Sequence, residues 1–130
     1  MKYLFVILFT VGTLIGISQQ ELKITFQLED TDEHIQINQL KYYVSSIRLM
    51  KIDEVTYEES NSYHLIDHHD EQSLTISLSL PDKIVFDALT FNIGVDSAKN
   101  MQGVHGGDLD PTKGMYWTWQ SGYILSLIHI

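Results

Sequence analysis

The chain has 130 residues, a formal charge of −9, 44% hydrophobic residues and no cysteine, which fits one domain. Seventeen acidic residues against 8 basic ones argue against nucleic acid, which needs basic surface to displace counterions. The lack of cysteine excludes a disulfide framework and a lipid-modified cysteine anchor.

Residues 1–18 have the three parts of a secretory signal peptide: Lys2, an apolar run from Tyr3 to Ile17, and small Gly16 and Ser18 before a cut at Gln19. The run is shorter than the ~20 residues a spanning helix needs. No basic stop-transfer residues follow it, so no membrane span is expected once the leader is removed. Export to the periplasm of a Gram-negative bacterium, or secretion, is the expected destination.

Beyond the leader, alternation with period two predicts half-buried strands. Leu22, Ile24, Phe26 and Leu28 alternate with polar residues, as do Leu74, Ile76, Leu78 and Leu80, and Leu89, Phe91, Ile93 and Val95. Tyr42 to Ile52 is β-prone but less regular, and Tyr63 to Ile66 is a short apolar stretch. Glu29 to Glu33, Asp53 to Asn61, Asp67 to Gln72 and Pro81 to Lys83 read as polar punctuation. Asp96 to Gln102 predicts a single helical turn capped by Asp96 or Ser97. These signals define an all-β antiparallel sandwich of immunoglobulin or jelly-roll type, with the domain at residues 19–124.

The Gly- and Asp-rich stretch Ser97 to Gly114 is the longest irregular segment, where function tends to sit on a β scaffold. Asp108-Leu-Asp110-Pro-Thr112 has the rhythm of a calcium loop. Lys113 and Trp119 stand where an EF-hand needs glycine and a bidentate glutamate, so a turn built on Asp110 and closed by Pro111 is expected instead. Both tryptophans fall in Gly114-Met-Tyr-Trp-Thr-Trp-Gln-Ser-Gly-Tyr123. Alternation places Trp117 and Trp119 on one face, lining either a core or a site. His105 precedes them in a glycine-flanked loop, and His64 sits in the Tyr63 strand. Imidazoles beside aromatics suit copper better than hard cations, so His64 and His105 are the candidate ligands. His34, His68 and His69 read as surface residues. There is no nucleophile motif, P-loop or Rossmann pattern, and no enzymatic turnover is expected.

Leu125-Ser-Leu-Ile-His-Ile130 matches the translation of a transposon end used in sequencing adapters. Residues 125–130 are therefore expected to be an artefact on a domain truncated at its C-terminus.

Phe91-Asn-Ile-Gly-Val-Asp96, Asn100, Gly107-Asp-Leu-Asp-Pro111 and Met115-Tyr-Trp-Thr-Trp-Gln-Ser-Gly-Tyr123 resemble the MbnP-like family associated with methanobactin clusters. Leu40 to Leu49 and Tyr63 to Asp67 are similar to its upstream strands, so the resemblance covers most of residues 22–124. It implies an exported β-sandwich for copper storage, scavenging or delivery. It also implies copper held by two histidines and by kynurenine, a tryptophan oxidised by a dihaem peroxidase-like partner. In such relatives a ligand histidine lies two residues from the modified tryptophan; here Trp117-Thr-Trp119 has none at that spacing. Either tryptophan is then the candidate for modification, and an interaction module without metal is the alternative reading.

Overall fold

The computed structural model describes residues 4–12, 20–29, 36–118 and 120–129. His34 and Trp119 lie outside these residues.

Ten strands, one short α-helix and three 3-10 turns are present among the described residues. Strands β1 (Leu4–Gly12), β2 (Gln20–Glu29) and β6 (Thr75–Leu80) form one antiparallel sheet in the order β1-β2-β6. The second sheet is organised around β3 (Gln39–Lys51), which pairs with β4 (Glu54–Glu58), β5 (Tyr63–Asp67), β7 (Ala88–Ile93) and β10 (Ser126–His129). The registers overlap so that β5 and β4 follow one another along one side of β3, and β10 and β7 along the other.

The two sheets pack face to face as the sandwich that the alternation predicts. Leu22, Ile24 and Phe26 of β2 and Ile76, Leu78 and Leu80 of β6 meet Leu40, Tyr42, Val44, Ile47 and Leu49 of β3, with Ile66 of β5. The core residues of β3 change parity, from even numbers up to Val44 to odd numbers from Ile47. A bulge explains the switch. Ser46 has φ +54°, the β3–β7 register slips between Ser45 and Arg48, and one extra residue returns the chain to the same face. The polar groups at the bulge are satisfied: the Ile47 N–H donates to Ser62 Oγ at 3.0 Å, and Ser45 Oγ donates to the Gly94 carbonyl at 2.7 Å.

The polar run Asp53 to Asn61, expected as a loop, contains strand β4. Four of its five residues are exposed, so pairing with β3 rather than burial holds it extended. The helical turn is present as α1 (Ser97–Met101), with Asp96 as its cap accepting from the Lys99 N–H. In the predicted strand around Phe91, Leu89 and Phe91 pack on the main core, but Ile93 is 47% exposed. It borders an open apolar hollow with Phe26, Leu40, Tyr42, Phe91, Ser126 and Ile128.

Both end segments are paired. Leu4–Gly12, within the predicted leader, runs against β2, and Ser126–His129, within the suspected artefact, runs against the start of β3.

Ser62 is 5% exposed, and Ser62→Ala leaves the Ile47 N–H without its acceptor. The expected loss is about 1–3 kcal/mol of unfolding free energy, measured by urea denaturation. Ser46→Gly, which relieves a positive φ, should change stability in the opposite direction.

Candidate functional site

The irregular segment and the aromatic hairpin cover the outer face of the β3 sheet. Tyr43, which points away from the main core, is fully buried there with Leu65, Leu109, Met115 and Tyr123. The hairpin strands are β8 (Tyr116–Thr118) and β9 (Gly122–Tyr123). Tyrosines fill this second core. Tyr123 lies edge-on to Tyr43 at 5.8 Å and to Tyr116 at 4.9 Å. Trp117 is 74% exposed and so is not part of the core.

Tyr123 also ties down the loop. Its hydroxyl donates to the Leu109 carbonyl at 2.7 Å and accepts from the His105 N–H at 3.0 Å. Its own N–H donates to Asn100 Oδ1 at 2.8 Å. The His105 ring stacks on Tyr123, with centroids 6.5 Å apart and planes at 23°. The aromatic partner of His105 is thus Tyr123, where the sequence suggested a tryptophan. Asp110 accepts from the Thr112 N–H at 2.8 Å and hydroxyl at 2.7 Å, and Pro111 opens the 3-10 turn that follows. This is the expected turn.

His64 lies on β5 opposite Val44. Its Nε2 is 2.8 Å from Glu59 Oε2, which also accepts from the Ser62 hydroxyl at 2.5 Å. Burial alone would raise the Glu59 pKa. Hydrogen bonds from His64 and Ser62, with the charge of the imidazole, bring it below the ordinary carboxylate value. His64 borders a polar hollow along the outer edge of β5 with Lys41, Asp67, Asp108 and Lys113. Its charges are largely matched: Lys41 meets Asp67 at 2.9 Å, Lys113 meets Asp108 at 2.7 Å, and Asp108 Oδ2 accepts the Leu65 N–H at 3.2 Å.

His105 borders a different hollow, with Asn61, Tyr63, Lys99 and the glycines of its own loop; Asp108 borders both hollows. Alternation along β5 puts His64 on the Ile66 face, whereas His105 packs on the side of Leu65. The two histidines therefore border separate hollows that have Asp108 in common, not one pocket. Among the described residues no three or more His, Asp or Glu side chains converge as a ready metal site.

Tyr63 adds a further polar contact, donating from its hydroxyl to Asp96. Burial first, then that hydrogen bond and the Asp96 charge, push its pKa up to about 12. His68 is in a different position from its expected surface placement. Its Nε2 is buried with no hydrogen-bond partner among the described residues, and its ring lies 5.9 Å from that of Tyr42. Burial depresses its pKa, opposed by Asp67 and assisted by His69. β5 ends at Asp67, so His68 lies just beyond the strand that carries His64 and Ile66. Glu59, which holds His64, was hidden in the polar run, and Ser62, which holds Glu59, lies one residue beyond it; only their closeness to a strand histidine marks them.

Fold and site define an antiparallel sandwich with a tyrosine-anchored loop layer on one outer face. A family profile described as MbnP matches residues 10–129, and the chain belongs to the MbnP family. No curated protein and no solved structure matches the chain significantly. Among the described residues no helix is long and apolar enough to cross a membrane.

Two pH dependences follow. The carboxyls of Glu59 and Asp67 are both lowered, Asp67 by the His69 N–H and by Lys41 against the opposing effect of burial. Their stabilisation is fully present above the ordinary carboxylate range near ~4 and is lost as pH falls through their lower folded values. His68 binds its proton more readily unfolded, so stability falls as pH drops from about 6.5 towards its lower folded value. Thermal melts at pH 7 and pH 5 should show a smaller drop for His68→Phe than for the parent.

Proposed function

We propose that this MbnP-family domain binds copper in the periplasm or outside the cell, for storage, scavenging or delivery, and carries out no turnover of its own. The observation that supports it most is the carboxylate-held His64 at the rim of a polar hollow. Metal-ligating histidines commonly donate their second ring N–H to a carboxylate, which orients the ring and raises its basicity. Imidazole nitrogen is a suitable donor for copper, so the chemistry of His64 fits the metal.

His105 is the second candidate donor. The two imidazoles border separate hollows, and a shared ion is therefore tested residue by residue. Trp117 is 74% exposed, which leaves its ring accessible to a separate oxidising protein such as a dihaem peroxidase-like partner. Conversion of Trp117 or Trp119 to kynurenine would add a further nitrogen and oxygen donor. Here the protein's own residues present imidazole nitrogens and hold them in place.

The same exposed indole favours one second reading, a sandwich that uses its loop layer as a contact surface without metal. Copper titration separates the two. The exported protein should take up roughly one equivalent of Cu(I) against a chromophoric chelator, and His64→Ala should weaken binding by more than about tenfold. His105→Ala should weaken it too if both residues donate to one ion. Unchanged affinity in both variants removes these ligand assignments, and failure of the parent to take up copper favours the contact module.

A further inference from the structure

We propose that Glu59 is a positioning residue that fixes His64 as its Nε2-protonated tautomer, leaving Nδ1 as the nitrogen with a free lone pair. The protons around Glu59 Oε2 fix the tautomer. Ser62 Oγ accepts the Ile47 N–H at 3.0 Å, so its hydroxyl proton is available for Glu59 Oε2 at 2.5 Å. The same Oε2 stands 2.8 Å from His64 Nε2. An ionised carboxylate only accepts, so both neighbours must donate. In a neutral imidazole that places the proton on Nε2.

Both partners are held by the main sheet. The Glu59 N–H donates to the Ile47 carbonyl at 3.0 Å, and the Ser46 N–H donates to the Ser62 carbonyl at 3.2 Å. His64 is fixed opposite Val44 by the β3–β5 ladder. The bulge in β3 thus sets the distance between the carboxylate and the ring. Glu59 borders a different hollow, shared with Asp96 and Lys99, from the one bordered by His64. The His64–Glu59 contact lies between the two, with one ring nitrogen committed to the carboxylate.

This inference names the donor atom of the site and rests on the copper reading only for its use. The tautomer itself belongs to the metal-free protein. It is tested by 15N-imidazole NMR on the metal-free exported chain at pH ~8.5, about two units above the ordinary imidazole pKa. The expected signature for His64 is a slowly exchanging Nε2–H with an unprotonated Nδ1. A dominant Nδ1–H form, or two protonated nitrogens at that pH, overturns the proposal.

Glu59→Ala should speed proton exchange at Nε2, and an unchanged exchange rate also overturns it. Glu59→Gln keeps an acceptor oxygen and should retain the parent signature. That variant and the parent spectrum decide the matter if the alanine variant does not fold. With copper present, Glu59→Ala should lower Cu(I) affinity by about 10- to 100-fold. A fixed Nε2–H in a protein that takes up no copper upholds the positioning role and removes only the metal reading.

Discussion

The extra residue at Ser46 is the constraint on which the rest of the architecture depends. Without it, a strand as long as β3 could not keep Leu40, Tyr42 and Val44 on the same side as Ile47 and Leu49, because a one-residue change of register reverses every side chain. The bulge also leaves an N–H at Ile47 without a partner in the β-ladder, and Ser62 supplies the acceptor. Ser62 in turn draws in Glu59, and Glu59 draws in His64. A local solution to a backbone problem thus becomes the support of the candidate ligand. Packing and site chemistry meet in one short hydrogen-bond chain.

The outer layer depends on a second economy of contacts. Residues 97–114 hold only α1 and two short 3-10 turns, and Tyr123 by itself reaches Leu109, His105 and Asn100. Tyr43 reinforces it from β3 by donating to the Asp108 carbonyl at 3.2 Å. Burial raises the Tyr43 pKa, helped by Tyr123 and Asp108, so the phenol remains a protonated donor across the physiological range. An aromatic ring with a polar tip suits this arrangement, since its body fills the core while its hydroxyl satisfies loop backbone.

Where hydrophobic alternation is unbroken, the elements were legible from residues alone: β2 and β6 appear almost as read. β3 was harder, because its parity switch at Ser46 disguises a single strand as an irregular one. β4 left only a faint trace, the pair Val55 and Tyr57, of which Tyr57 alone packs on the core, so pairing more than burial keeps Glu54 to Glu58 extended. Among the described residues, the aromatic segment packs through Tyr116 and Tyr123, while Trp117 is exposed. Sequence spacing does not tell which face of a short hairpin will meet the core. The partners of His64 were invisible for a related reason: Glu59 and Ser62 gain meaning only when β3 folds them back against β5. The family is legible in motifs spread along the chain, and its profile spans residues 10–129.

The pairing of Leu4–Gly12 along β2, nine residues in register, has a consequence for biogenesis. If residues 1–18 are the leader, a precursor that completes this fold locks the leader's backbone into a β-ladder. A secretion channel must then melt that ladder before threading can begin. Successful delivery is therefore a race, in which translocation has to capture the nascent N-terminus before the first sheet zips shut.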